Sequence, residues 1–155
     1  MTESAEQALG RLGIQLPSPP RPVASYVPVH QSGELVFTSG VVPTWNGEVR
    51  MRGVVGSDLS VEEGAKAAEI CALNIISLLR EHLASLDKVV QFVQLTGFVR
   101  SAAGFQDQPR VMNGASDLVV KVFGERGRHT RLAIGTSELP LGVPVEISAI
   151  VRVRA

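Results

Sequence analysis

The segment RLAIGTSELPLGVPVEISAIVRV, Arg131 to Val153, holds two strand-like runs on either side of a Leu139-Pro140 turn. Val, Ile, Leu and Ala dominate both runs, and β-branched side chains pack well on a pleated surface. Each run also carries one charge near its start, Arg131 in the first and Glu146 in the second. As strands joined through Leu139-Pro140, they are expected to set Arg131 and Glu146 opposite each other across a ladder. One reading is an ion pair, although an exposed pair contributes only about 0–1 kcal/mol and a buried one gives back much of its attraction in desolvation. The other reading is a cleft for a small anion that reacts with water. The arginine fork matches a carboxylate, and a glutamate beside it can hold or activate a water. Tyr26, the chain's one tyrosine, could add a hydroxyl to such a cleft or serve the fold alone.

Upstream, the pattern changes from strand to helix and back. Residues 3–13 show Ala5, Ala8, Leu9 and Leu12 at helical spacing. A run with four prolines at positions 17–22 follows, so residues 1–22 read as an N-terminal arm and 23–155 as the main domain. ASYVPVHQ and ELVFTSGVVP read as a hairpin turning at Ser32-Gly33, with Pro28 marking an edge or bulged strand, and Asn46-Gly47 signals a second turn. Ser60 and Glu63 form a capping box before a stripe of Ala65, Ala68, Cys71, Ala72, Ile75, Leu78, Leu79 and Leu83. Residues 88–100 read as a strand. FQDQPRVMNGASDLVVKVFGERG, residues 105–127, reads as a second helix with Pro109 in its first turn, an awkward Asn113-Gly114 at its middle, and Gly124 or Gly127 ending it. The order predicts an α+β fold, one mixed sheet with two helices on one face. The last strand has apolar residues on both parities, Val145, Ile147, Ala149, Val151 and Val153 against Ile150, so its other face wants cover as well, from another subunit.

Bulk properties narrow the classes. With 155 residues, one core can bury roughly two-thirds of the unfolded surface. Fifteen basic residues balance fifteen acidic ones, which provides no field for nucleic acid and favours a surface covered by oligomerisation. The single cysteine, Cys71, excludes an intrachain disulfide and reads as packing. His30, His82 and His129 are scattered without ligand spacing, so no metal is expected; His129, two residues before Arg131, reads as a surface or strand-end residue in preference to the edge of the cleft. No stretch has the length of an apolar membrane span and no secretory pattern opens the chain, so the expected location is the cytoplasm.

Three ordered segments, SYVPVHQSGELVFTSGVVP, NGASDLVVKVFGE and RLAIGTSELPLGVPVEISAI, resemble the RidA (YjgF) family of reactive-intermediate imine deaminases, once called L-PSP endoribonucleases. The likeness runs from about residue 23 to the end, and the proline-containing arm with ELPLGVPVEI resembles a RidA-like subgroup. The resemblance implies a chorismate-mutase-like fold and a homotrimer with clefts between subunits. It implies that Arg131 binds the substrate carboxylate and that Glu146 places the attacking water. It also implies that Tyr26 lines the cleft, that Asn113 makes a polar contact, and that Gly40 offers its backbone. Position 133 would line the site too, but here Leu132 and Ala133 stand where deaminase-type members usually carry a hydroxyl residue and often a cysteine.

The implied activity is hydrolysis of 2-aminoacrylate-type enamines and imines to 2-keto acids and ammonia, without metal or organic cofactor. The expected partners are a small anionic imine or keto acid and further copies of the chain, with no nucleic acid and no membrane. A different class is a non-catalytic trimer that binds or senses a small carboxylate, which Leu132 favours. Endoribonuclease activity ranks last, because the chain has no basic stripe and few aromatics to stack bases.

Overall fold

The computed structural model describes residues 2–155. Strands β1 (Val29–Ser32) and β2 (Leu35–Thr38) form the expected hairpin, but its loop is Gly33-Glu34 rather than Ser32-Gly33. Gly33 explains the shift. Its φ of +60° suits the first position of a two-residue loop, a backbone that serine would adopt only with strain. Asn46 and Gly47, at φ +51° and +87°, turn β3 (Thr44–Trp45) into β4 (Glu48–Val49).

Three helices follow their caps. Ser4 and Gln7 box the start of α1 (Ala5–Leu12), and Ser60 and Glu63 box α2 (Val61–Leu83), each side chain accepting the other residue's amide N–H. α3 (Gln108–Phe123) carries Pro109 in its first turn. It crosses α2 so closely that a Cβ at Gly114 would stand 1.9 Å from the Ala65 carbonyl oxygen. Packing thus explains the glycine of the Asn-Gly pair. Ala65 itself is only half-buried, while every residue from Cys71 to Leu79 is buried, so α2 is enclosed beyond the expected stripe.

The main sheet is built on β5 (Val89–Arg100), with the strand order β1-β2-β7-β5-β6. β7 (Val145–Val153) pairs with β5 antiparallel and β6 (Thr130–Thr136) pairs with it parallel, which makes the sheet mixed. Phe92, Leu95 and Val99 of β5 and the odd-numbered residues of β7 lie buried beneath α2 and α3. Cys71 is fully buried there. Burial, and then the nearby Glu146 carboxylate, hold its thiol well above the ordinary range, in keeping with a packing role.

The arm is fastened to α2. Ala5 and Leu9 join the main core. Ser77 donates its hydroxyl proton to the Pro17 carbonyl at 2.6 Å. Arg80 forks onto Glu6, and Arg21 onto Glu81.

Two expectations about the sheet are corrected. β6 and β7 are consecutive in the chain, yet β5 lies between them, so Arg131 and Glu146 do not face each other. α3 is the crossover that returns the chain parallel to β5, and β7 adds on the other side of β5. Arg131 aligns with Leu95, which is buried under the helices, whereas Glu146 aligns with Phe98, which is exposed on the open face. The two charges therefore project from opposite faces. The second correction concerns the open face of β7, which carries Glu146, Ser148, Ile150 and Arg152 and is apolar only at Ile150. The apolar surface there comes instead from Leu35, Phe37, Phe98, Leu132 and Ile134 of the neighbouring strands. Among the described residues no helix is long and apolar enough to cross a membrane.

Candidate functional site

Arg131 sits on β6, the edge strand, and reaches under α3. Asn113 and Ser116 lie three residues apart on α3, hence on one side of the helix. Arg131 Nη1 donates to Asn113 Oδ1 at 2.9 Å and to Ser116 Oγ at 3.1 Å, and Nη2 donates to the Pro109 carbonyl at 3.3 Å. A guanidinium has five N–H donors. Three are used here on neutral acceptors, which leaves the Nε–H and one Nη2–H. The group is fixed in place, its charge is unmatched by those partners, and a bidentate face remains for a planar anion.

Ser116 is itself held. Its Oγ lies 2.9 Å from His129 Nε2, and His129 Nδ1 lies 2.6 Å from the Gly127 carbonyl oxygen. A carbonyl only accepts, so Nδ1 carries a proton; with the ring in that single tautomer, Nε2 accepts from the Ser116 hydroxyl. Arg131, Ser116 and His129 thus donate in one direction, ending on Gly127. Sequence reasoning weighed His129 at the edge of the cleft but preferred a strand-end role, and it did not single out Ser116. The signals were present: His129 precedes Arg131 by two residues, the same-face interval of a strand, and Ser116 follows Asn113 by one helical turn. Ser116, His129, Arg131, Arg128 and Val120 line a shallow cleft of about 240 Å³. Ala133 shares the Arg131 face of β6, whereas Leu132 projects from the other face. Leu132 therefore does not replace a hydroxyl beside the guanidinium within the chain.

Glu146, Gly40 and Tyr26 form a second group. A Cβ at Gly40 would lie 2.2 Å from Glu146 Oε2, so glycine is what lets the carboxylate rest against this backbone. Burial raises the Glu146 carboxyl above its ordinary range. Tyr26 stands half-exposed before β1 and, with Gly40, lines a cavity of about 160 Å³.

The six candidate residues thus fall into two sets, Arg131, Asn113 and Ala133 on one side, Tyr26, Gly40 and Glu146 on the other. From the register, the Arg131 and Glu146 backbones are about 10 Å apart along the strands and about 10 Å apart across them. No small molecule could bridge the two sets through one chain's sheet. Among the described residues no three of His, Cys, Asp and Glu converge as metal ligands.

A mixed sheet of this order with its helices on one face defines an α+β class with a chorismate-mutase-like fold. The model of the YjgF/chorismate-mutase-like endoribonuclease family matches residues 6–149, and the chain belongs to this YjgF/RidA family. It is 44% identical over 144 residues to protein TCP17 of Trypanosoma cruzi, covering 92% of this chain and 90% of that one. It is also similar to the crystal structure of Atu1372, a protein of unknown function from Agrobacterium tumefaciens. That match has 41% identity, covers 97% and 94% of the two chains, and has a TM-score of 0.89. A candidate endoribonuclease from Shewanella oneidensis MR-1 superposes with a TM-score of 0.94 at 28% identity, over 97% of this chain and all of that one.

Proposed function

We propose that this protein hydrolyses reactive 2-aminoacrylate-type enamines and imines to 2-keto acids and ammonia, in the cytoplasm, at sites completed between subunits of a homotrimer. The observation that carries the reading is Arg131, a guanidinium fixed by Asn113, Ser116 and the Pro109 carbonyl with a bidentate face left open. The substrate carboxylate binds that face. Glu146 of a neighbouring copy, lying against Gly40, holds a water that attacks the imine carbon. Water adds to the C=N bond, a proton passes from the new oxygen to nitrogen, and the C–N bond breaks to release ammonia and the keto acid. The separation of Arg131 from Glu146 within one chain supports a site that needs two copies, and the exposed Phe37, Phe98, Leu132 and Ile134 support an assembly that covers the open face.

The test couples a pyridoxal-phosphate lyase to the purified protein and follows loss of the imine. Wild type should accelerate the loss and Arg131→Ala should not; a folded wild-type protein inert toward a panel of imines would sink the hydrolase reading. A second reading, a non-catalytic trimer that binds a small carboxylate, is favoured by the fact that the Arg131 group is complete in one chain while Glu146 is remote from it. It expects saturable carboxylate binding with no ammonia released. Ribonuclease activity remains the weakest reading, given a net charge of zero.

A further inference from the structure

A serine bonded to a histidine whose other ring nitrogen is held in place has the makings of a nucleophile and its base. Ser116 Oγ lies 2.9 Å from His129 Nε2, and His129 Nδ1 lies 2.6 Å from the Gly127 carbonyl oxygen. That carbonyl keeps Nε2 an acceptor toward the serine, and it goes on accepting from Nδ1–H once Nε2 has taken a proton. The backbone that carries it is pressed onto α3, since a Cβ at Gly127 would stand 2.5 Å from the Val119 carbonyl oxygen. Arg131 Nη1, 3.1 Å from Oγ, stabilises negative charge on that oxygen. Ser116, His129, Arg128 and Arg131 all open on the 240 Å³ cleft, so the hydroxyl can be reached from outside.

The same cleft limits what could react there. Its volume suits a ligand smaller than a drug molecule. Asn113 gives its Oδ1 to Arg131, which leaves the Nδ2 protons, on the Ser116 side of α3, to meet an oxyanion. The open face of Arg131 takes a carboxylate. An anion on that face stands roughly 6–8 Å from Oγ, two hydrogen bonds of about 3 Å and the width of the guanidinium. A carbon under attack sits about 3 Å from its nucleophile, so about two or three carbons separate the carboxylate from the acyl group.

We propose that Ser116 and His129 form a second catalytic centre, which hydrolyses the half-esters of short dicarboxylic acids. Ser116 Oγ attacks the ester carbon as its proton passes to His129 Nε2. The ester C–O bond breaks, and the leaving alcohol takes that proton. Water then gives a proton to Nε2 and attacks the acyl carbon, the bond to Oγ breaks, and the proton returns to Ser116. The net change is ester plus water to acid plus alcohol. This centre does not depend on the imine reading, because both groups belong to one chain and Glu146 takes no part.

Monoethyl succinate and ethyl butyrate match in acyl length and differ in charge, and ethanol release reports the hydrolysis of each. Wild type should prefer the succinate half-ester by about tenfold or more, the worth of a hydrogen bond to a charged group, and Arg131→Ala should lose that preference. Ser116→Ala and His129→Gln should each lose about 100-fold or more, the share of a general base. His129→Gln separates catalysis from positioning: its carbonyl can accept from Ser116 and keep Arg131 in place, but it cannot carry the proton. It should bind a carboxylate like wild type and hydrolyse no ester. A fluorophosphonate probe should mark Ser116 in wild type, by peptide mass spectrometry, and leave it unmarked in His129→Gln. Equal turnover of both esters by wild type would overturn the half-ester class. A folded wild type with no ethanol release and no adduct at Ser116, or hydrolysis that persists in Ser116→Ala, would overturn the centre itself. Imine hydrolysis is read separately by the coupled lyase assay and stands or falls on its own.

Discussion

Replacing Ser116 by alanine tests whether the polar chain behind Arg131 sets its affinity. The substitution removes the hydroxyl that accepts from Arg131 Nη1 at 3.1 Å and leaves Asn113 and the Pro109 carbonyl in place. A hydrogen bond to a charged group contributes about 1.5–3 kcal/mol. Both residues are only half-buried, which puts this one at the low end, about 1.5 kcal/mol or tenfold in Kd. His129→Ala acts only through the serine, whose hydroxyl can turn to water, so about threefold is expected. The double variant should bind no more weakly than Ser116→Ala alone, because His129 has nothing left to orient. His129→Gln, which can offer a carbonyl acceptor, should recover most of the loss. Calorimetric titration with pyruvate or 2-oxobutyrate measures all four proteins, and circular dichroism confirms their folding. Additive losses, or a folded Ser116→Ala with wild-type affinity beside an Arg131→Ala that binds nothing, would refute the reasoning.

Other perturbations separate stability from function. Burial raises the folded-state pKa of Glu146, so between the unfolded value and the raised one the native chain binds more protons than the unfolded chain, and stability falls as pH rises through that window. Glu146→Gln should therefore raise Tm at pH 7, with the gain vanishing below the ordinary carboxylate range, while imine hydrolysis is lost; calorimetry across pH checks the first and the coupled lyase assay the second. Gly114→Ala drives a methyl group into the Ala65 carbonyl, and overpacking of this kind costs about 3 kcal/mol. The expected drop in Tm is about 6–12 °C, read by thermal melts. Phe98→Asp or Leu132→Asp charges the open face, and sedimentation should show the proposed trimer giving way to monomer.

Much of the architecture could be read from local chemistry. The Ser60–Glu63 capping box, the Asn46-Gly47 turn and the placement of Pro28 just outside an edge strand are each decided by a few neighbouring residues. The relation of Arg131 to Glu146 was not legible, because it depends on which strand inserts between β6 and β7, and no residue in either strand encodes that. Face assignment suffered similarly. β5 shifts register between Val89 and Gln91 and again between Phe92 and Gln94, so a strict two-residue alternation loses its phase inside the strand. Arg131 was found as a charge in an apolar strand and Asn113 through family likeness, and the structure joins them by a hydrogen bond. Ser116 and His129 could have been found by applying strand and helix periods to those same two residues.

The enclosure of α2 bears on how the chain survives its own synthesis. From Cys71 to Leu79 every residue is buried, although the sheet can cover only one side of a helix. Ile14 and Leu16 of the arm pack against the core, and Ser77 is tied to Pro17. The arm leaves the ribosome before α2, which follows some sixty residues later, and until then it has nothing to hold. A nascent or truncated chain without it would display a helix greasy on both sides, a target for chaperones and for other unfinished copies. The prolines that keep the arm extended also keep it from forming a strand of its own during that wait, so a segment that looks dispensable acts as a tethered cover for a helix that is apolar on more than one side.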